Sequence, residues 1–427
     1  MVSIARILGT AAFVMLGMGG QLVRAADPFN VTLDVDGQSS SKGFTDLANA
    51  VNLISSTTSL QTLIPGYTEV AGARLDLNLR GLAATGSFDA GSPVLRVVIP
   101  AAGVNEVFAG ATRNESGRLF RKWLERNADA VVRAGAKETS TDPVAGNPNS
   151  GDDAAGDLGF QPGAGRRRRL TTGGFGLDAR FGSFAAGGYR SNAFTLPINQ
   201  AWQVSERDVL QIDVPISFTD LDGAQSYGAN IGLLWRRRVT PRWTLQPSLR
   251  IGGVGSVNLG SGAGVWSAAL NSMLNLDLPG TWQLTVANGI SYVSTIPVSV
   301  GRYSLNYDIS NVVFRNGLVA SRDLGFRVAN YPVRGALFAI DTRFTGDAIY
   351  IENFQEFGAF FILGTPNPIR FGVTYLTGGA ACRASRSIWE PGSEREFDGP
   401  ELPGQRGAGS LATRPRSGWE RPQGGRP

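Results

Sequence analysis

A long series of alternating apolar and polar residues occupies residues 173–378. Leu210, Ile212 and Val214 take every second position in one segment, with polar residues between them. This two-residue period is typical of strands with one apolar and one polar face. The segments are roughly 9 to 13 residues long, the length that a tilted strand needs to cross a bilayer, and several begin or end on Trp or Tyr. The pattern predicts an all-β-dominated fold whose main part is an antiparallel transmembrane β-barrel.

The number of strands follows from the alternating segments. They are Phe175–Phe181, Tyr189–Ile198, Val209–Phe218, Tyr227–Trp235, Trp243–Ile251, Val265–Leu278, Trp282–Tyr292, Tyr303–Phe314, Leu337–Phe344, Ile349–Ile362 and Ile369–Tyr375. Because bacterial single-chain barrels close with an even number, we expect about 10 to 12 strands. Short turns are predicted at Asp220–Gly223, Thr240–Arg242 and Pro279–Gly280. The Arg315–Gly317 segment is compatible with either a turn or a kink in a longer strand.

Polar positions in these segments predict the lining of the barrel, since the apolar positions are expected to face lipid. The predicted inward residues are Gln211, Asp213, Asn230, Arg236, Gln246, Arg250, Asn271, Asn275, Asp277, Asn306, Asp308, Asp341, Arg343 and Arg370. Both signs of charge are present. A cross-linked plug of paired charges and a narrow aqueous channel are both compatible with this lining.

The N-terminal region differs in character from the barrel. Residues 1–25 have the parts of a secretory signal peptide, with an apolar core at Ile7–Gly20 and a cleavage site after Ala25. Residues 26–135 predict a small α+β domain. In its second half, Ser116 is predicted to cap a helix with an apolar stripe that includes Phe120 and Leu124.

Two further segments are rich in polar residues, Gly and Pro. Residues 136–172 are predicted to be a flexible linker that contains the turn signal Asp142-Pro143 and ends at the basic run Arg166–Arg169. Two interpretations of this run are open: it contacts anionic lipid head groups, or it is simply the solvated end of the linker. Residues 379–427 show no alternation and predict a disordered Arg/Pro/Gly-rich tail.

Composition restricts the chemistry that the chain can perform. There is no His, and the single Cys excludes an intramolecular disulfide. Mechanisms that depend on a histidine base or on histidine metal ligands are therefore absent. We assign no catalytic, cofactor-binding or metal-binding residues and expect no cofactor. The formal charge of +5 is concentrated in basic runs without interleaved aromatic residues, so we expect no nucleic-acid partner.

The order of signal peptide, small domain, linker and C-terminal strands resembles outer-membrane proteins of Gram-negative bacteria, and more narrowly autotransporter-type proteins. The stretches that carry the resemblance are Tyr189–Trp202, Val209–Thr219, Phe314–Leu318 and Ile340–Gly346. It implies a non-enzymatic barrel that anchors or displays the N-terminal domain at the cell surface. The implied location is the outer membrane, and the implied partners are outer-membrane lipid, lipopolysaccharide and the barrel assembly machinery.

Two other interpretations remain open from the sequence. One is a porin-like diffusion channel whose N-terminal domain is a plug or periplasmic module. The other is an exported soluble β-sandwich adhesin, although its strands would be shorter. The chain also departs from the usual barrel pattern, because it ends at Pro427 and not on a strand with a terminal aromatic residue. The sequence therefore predicts either a barrel closed at Tyr375 with a genuine tail, or a barrel whose last strand has been lost.

Overall fold

The structure is a computed structural model that describes residues 27–145, 174–177, 179–300, 302–328, 330–363, 369–378 and 382–391. The signal peptide, the basic run Arg166–Arg169 and residues 392–427 lie outside the described residues. Their assignments stay predictions.

The N-terminal domain is a six-stranded antiparallel sheet covered by helices on one face. Alternate residues such as Leu33 and Leu75 are buried against the helices, whereas Arg74 and Asp76 point away from them into solvent. Its strands are β1 (Phe29–Val35), β2 (Gln38–Phe44), β3 (Ala73–Leu79), β4 (Leu82–Phe88), β5 (Leu95–Ile99) and β6 (Val104–Phe108), in the order β2-β1-β3-β4-β5-β6. Its helices are α1 (Leu47–Ile54), α2 (Thr57–Gln61), α3 (Arg113–Arg126) and α4 (Ala128–Glu138).

The predicted start of the third helix is wrong. The side chain of Thr112, not Ser116, caps α3 by accepting a hydrogen bond from the backbone N–H of Glu115 at 3.2 Å. Ser116 lies inside the helix and donates to the carbonyl of Pro93. Arg113 is buried, and its guanidinium donates to the Tyr67 hydroxyl and to several backbone carbonyls.

The C-terminal part is a closed antiparallel barrel. Segments β7 (Gly174–Leu177) and β8 (Ala179–Ala186) pair with one neighbour in a single register and act as one strand. The others are β9 (Tyr189–Gln203), β10 (Asp208–Leu221), β11 (Ala224–Arg238), β12 (Trp243–Ser256), β13 (Ser261–Asp277), β14 (Trp282–Ile296), β17 (Ser310–Val328), β18 (Tyr331–Gly346), β19 (Asn353–Leu363), β20 (Ile369–Gly378) and β21 (Cys382–Pro391). Each pairs with the next, and β21 pairs back onto β8. The described residues thus form a ring of twelve strands, within the predicted range.

The predicted end of the barrel at residue 378 is wrong. Strand β21 lies in the segment that was assigned to a disordered tail, and its backbone pairs with β20 on one side and β8 on the other. The barrel is therefore neither closed at Tyr375 nor without its last strand. The sequence signal is weak because Ile388 and Trp389, the large apolar residues of this strand, are adjacent and do not alternate. Ring closure supplies partners for the backbone on both sides and outweighs this poor pattern.

The predicted strand Tyr303–Phe314 is also wrong. Between β14 and β17 the chain forms a small hairpin, β15 (Val298–Val300) and β16 (Tyr303–Leu305), and Asp308 then takes a left-handed backbone conformation with φ of 49°. The alternating side chains of this stretch are buried under the N-terminal domain and not exposed to lipid. By contrast, Arg315–Gly317 neither turns nor ends a strand, since β17 continues through it.

The outer surface of the barrel carries an apolar band with aromatic residues at both edges. On β14, Trp282 and Tyr292 point outwards and are 41% and 40% exposed. Their separation is about 33 Å along the strand, which corresponds to a height of about 25 Å at a tilt of about 40°. This is the height of the apolar band in outer-membrane barrels. Trp235 and Tyr227 form the same pair of edges on β11.

Closure by β21 predicts how the barrel responds to truncation. A chain that ends at residue 381 leaves the edges of β20 and β8 unpaired, so it should not form a heat-modifiable barrel. A chain that ends at residue 391 keeps both pairings and should show the gel-mobility shift on boiling. Equal shifts for the two truncations would contradict the assignment of β21 as the closing strand.

Candidate functional site: a capped polar lumen

Most of the predicted lining residues do point into the barrel. Cross-strand pairing places Gln211, Asp213, Arg236, Gln246 and Arg250 on the face opposite to the exposed apolar side chains. Asn230, Asn271, Asn275 and Asp277 share this inward face. The side chain of Arg370 lies outside the described part of the structure.

Four predicted lining residues are placed elsewhere. Asp341 and Arg343 face outwards, because they pair in register with Gln355 and Asn353 and share a face with the exposed Leu337. Asn306 and Asp308 belong to the loop between β16 and β17. On β18 the predicted inward positions are one residue away from the true ones, because Ile340 and Thr342 point into the barrel and the charged Asp341 and Arg343 point out of it.

Two buried ion pairs cross-link the lining. Nη1 of Arg250 lies 2.6 Å from Oδ2 of Asp213, and Nη2 of Arg315 lies 2.6 Å from Oε2 of Glu356. All four side chains are at most 10% exposed. Each pair joins two strands that are separated by one intervening strand, β11 or β18, so the ion pairs lie along the inner wall of the barrel. Charge-assisted bonds of this length tie each strand to the next but one.

Amide and hydroxyl groups extend this network. Arg236 donates to Oε1 of Gln246 at 3.2 Å and to Oε1 of Gln211 at 3.3 Å. Arg334 donates to Oε1 of Gln283 at 3.2 Å. The lumen is therefore a cross-linked polar interior in which arginines bridge the strands.

The segment after α4 was predicted to be the start of a flexible linker, and this is wrong for residues 136–145. Helix α4 continues to Glu138, and Thr139, Ser140, Thr141 and Asp142 are buried. The segment lies between the N-terminal domain and the barrel. Its polar composition reflects hydrogen bonds at this interface and not exposure to water.

The N-terminal domain covers one end of the barrel. The contacts involve the connections after β8, β10, β12, β14 and β18. Two hydrogen bonds are donated by the N-terminal part: Ser140 Oγ donates to the carbonyl of Ala186 at 2.8 Å, and the N–H of Leu47 donates to the carbonyl of Asn258 at 2.7 Å. Two are donated by the barrel connections: the N–H of Asn306 donates to Oδ1 of Asp129 at 2.9 Å, and the N–H of Tyr350 donates to the carbonyl of Ala136 at 2.8 Å. Leu221, Ala224 and Leu259 from the barrel join the core of the domain. We call this end the capped end.

Asp142 is the centre of the capped interface. Its Oδ2 atom accepts from the hydroxyl of Tyr307 at 2.8 Å and from Nη1 of Arg80 at 3.3 Å. Its Oδ1 atom accepts from the backbone N–H groups of Val144 and Ala145. Arg80 lies in the turn between β3 and β4, and its Nη1 atom also donates to Ser261 of the barrel at 2.9 Å. One carboxylate therefore joins the domain, the segment after α4 and the barrel.

Burial changes the proton affinity of this network. Desolvation raises the pKa of the Asp142 carboxyl above its usual range, opposed by the charge of Arg80 and by its hydrogen bonds. Desolvation and the neighbouring Asp142 raise the pKa of Tyr307 well above its usual value, so the phenol stays protonated and donates. A buried carboxyl and a buried phenol thus share a hydrogen bond at this interface.

Sequence reasoning missed this network. Asp142 was interpreted as part of a turn signal, and Arg80 was assigned no role. The only local signal is an acidic residue before Pro143, which is far more often a solvated turn. The residues that meet here lie far apart in the chain, so their contact depends on docking.

No helix within the described ranges is long and apolar enough to cross a membrane. The same residues contain no group of three or more His, Cys, Asp or Glu side chains that could hold a metal ion.

Comparisons with known proteins found similarity to solved structures only. No protein-family model and no curated protein matches the sequence. The beta domain of the Bordetella autotransporter Brka matches 52% of this chain and 99% of its own, with 14% identity and a TM-score of 0.41. The translocator domain of autotransporter NalP from Neisseria meningitidis matches 52% of this chain and 88% of its own, with 12% identity and a TM-score of 0.40. The NanC porin matches 51% and 98%, with 10% identity and a TM-score of 0.34.

The closed antiparallel ring, the apolar outer band and the polar interior define the class of this chain as a transmembrane β-barrel protein of the outer-membrane type. It resembles both autotransporter beta domains and porins.

The lumen ion pairs make a prediction for stability. The single substitutions Arg315→Gln and Glu356→Gln should each lower the free energy of unfolding by about 1.5 to 3 kcal/mol, because each removes a charge from a buried, charge-assisted hydrogen bond. The double variant should lose less than the sum of the two single losses. Unfolding in denaturant from lipid vesicles measures the effect, with Arg237→Gln at the exposed rim as a control that should change little. Additive losses in the double variant would contradict a coupled pair.

The capped interface makes a prediction for pH dependence. Because the docked carboxyl of Asp142 binds a proton more readily than a water-exposed one, docking should weaken as the pH rises above the ordinary aspartate pKa of about 3.9 towards the raised value. Amide-exchange protection of Val144 and Ala145, corrected for the intrinsic pH effect, measures this. Asp142→Asn should remove the dependence. Docking that strengthens over the same pH range would contradict the prediction.

Proposed function

We propose that the barrel is a non-enzymatic outer-membrane anchor that displays the N-terminal domain at the outer surface of the cell. The observation that carries the proposal is the position of the domain, which is docked on the end of the barrel opposite to the barrel's own chain ends. Gly174 and Pro391 both lie at the uncapped end, whereas Ala145 lies at the capped end.

The lengths of the connections support this orientation. The two longest described connections, residues 297–309 and 347–352, are at the capped end, although that end also has two-residue turns at 187–188 and 222–223. The described connections at the uncapped end, such as residues 204–207, 239–242 and 278–281, are all short. In bacterial outer-membrane barrels the longer connections are extracellular and the short turns are periplasmic. By this rule the capped end, with its domain, faces outwards.

The lumen favours anchoring over diffusion. Buried ion pairs line the interior, and the docked domain covers the mouth of the barrel at the capped end. A diffusion channel needs a continuous aqueous path, which a domain docked over one mouth obstructs. The polar lining still makes a porin-like channel the competing function.

Site-directed labelling tests the orientation. In a Cys382→Ser background, Val70→Cys places a thiol at an exposed position of the N-terminal domain, and Glu206→Cys places one in a turn of the uncapped end. A membrane-impermeant maleimide should label Val70→Cys in intact cells and Glu206→Cys only after permeabilisation. The opposite pattern would place the domain in the periplasm and contradict display.

Conductance separates the anchor from the channel. The full chain in a planar bilayer should show no steady ion conductance if its role is anchoring. Steady conductance together with periplasmic labelling of Val70→Cys would instead support the porin-like function.

A further inference from the structure

A row of polar side chains crosses the lipid-facing surface of the barrel. Asn288, Asn316, Asp341 and Gln355 lie on the successive strands β14, β17, β18 and β19, and each is the direct cross-strand partner of the next. They share their face with exposed apolar residues such as Leu318. We call these four residues the polar row.

The hydrogen bonds within the polar row leave much of its capacity unused. Nδ2 of Asn288 donates to Oδ1 of Asn316 at 2.7 Å, and Nε2 of Gln355 donates to Oδ1 of Asp341 at 2.8 Å. The bond between the two asparagines uses one of the four amide hydrogens that they carry. Both side chains are exposed, so the remaining donors and acceptors point away from the barrel.

The position of Asn288 and its partner Asn316 makes this exposure costly. Asn288 lies between Trp282 and Tyr292 on β14, inside the band that the aromatic residues delimit. Unsatisfied polar groups are unfavourable in hydrocarbon because no water is present to bond them. On the other side of the barrel the outward positions at this height are apolar, as at Ile216 on β10 and Ile231 on β11. The row is therefore a local feature of one side and not a general property of the surface.

We propose that the polar row is the contact surface for a second copy of this chain, in a side-by-side dimer within the membrane. A carboxamide is both a donor and an acceptor, and the row adds a carboxylate next to the exposed Arg343, whose Nε atom lies 2.8 Å from Oδ2 of Asp341. The row thus presents both donors and acceptors and both signs of charge. In a two-fold dimer the same patch meets itself, so a surface with this composition supplies its own partner.

A small side chain beside the row permits close approach. Ala339 on β18 faces outwards directly beside Asp341, and small residues at membrane interfaces let backbones come together so that polar side chains can bond across. This inference does not depend on the proposed display function.

The test combines disulfide trapping with a measurement of mass. In a Cys382→Ser background, Asn316→Cys should form a disulfide-linked dimer when membranes are oxidised. Ile216→Cys is the matched control, since it is also lipid-facing and 47% exposed but lies on the other side of the barrel. It should stay monomeric.

In detergent, light scattering should give the mass of a dimer for the wild-type chain. Asn288→Leu with Asn316→Leu should raise the dissociation constant about tenfold or more. A heat-dependent gel shift confirms that this double variant still forms a barrel. If the variant shows no shift, the disulfide trapping of Asn316→Cys alone tests whether the chain forms a dimer through the polar row. A monomeric wild-type chain, or equal trapping at Asn316→Cys and Ile216→Cys, would overturn the proposal.

Discussion

The requirement that every backbone N–H and C=O in hydrocarbon has a partner governs the whole barrel. An open sheet leaves two edges unpaired, so a sequence with regular alternation is stable in the membrane only as a closed ring. This constraint explains why Cys382–Pro391 forms a strand in spite of its poor apolar pattern. It also fixes the phase of each strand, and with it which side chains meet lipid and which meet the lumen.

Closure creates a polar interior and two open ends, and in this chain the interior holds buried ion pairs while one end is covered by the N-terminal domain. The lumen is held by ion pairs such as Arg250 with Asp213, and the capped end is covered by a domain that shares its hydrophobic core with the barrel connections. Asp142 lies where the two parts meet, with hydrogen bonds to Arg80 of the domain and Tyr307 of the barrel. The N-terminal domain is therefore packed on the barrel and not merely attached to it.

Much of the barrel could be predicted from the sequence because the two-residue period is set by lipid on one side and polar groups on the other. The prediction was wrong where another surface replaces lipid. Tyr303 to Ile309 alternate like a strand, yet the apolar side chains of Leu305, Tyr307 and Ile309 are buried by the docked domain. Residues 136–145 are as polar as a linker, yet their hydrogen bonds are made inside an interface. Asp341 and Arg343 are charged and still face outwards. Sequence periodicity predicts which residues face lipid and which do not only where neighbouring residues in the chain share one environment. The environment of these residues is set by contacts between distant parts of the chain.

Trapping the docked domain in cells tests the central claim most directly. Asp129 accepts a hydrogen bond from the N–H of Asn306 at 2.9 Å, so cysteines at these two positions, in a Cys382→Ser background, lie close enough to be joined. We expect Asp129→Cys with Asn306→Cys to form an intramolecular disulfide in the outer membrane, and an impermeant reductant to cleave it in intact cells. Absence of the disulfide in a chain that keeps its heat-dependent gel shift would contradict a capped barrel.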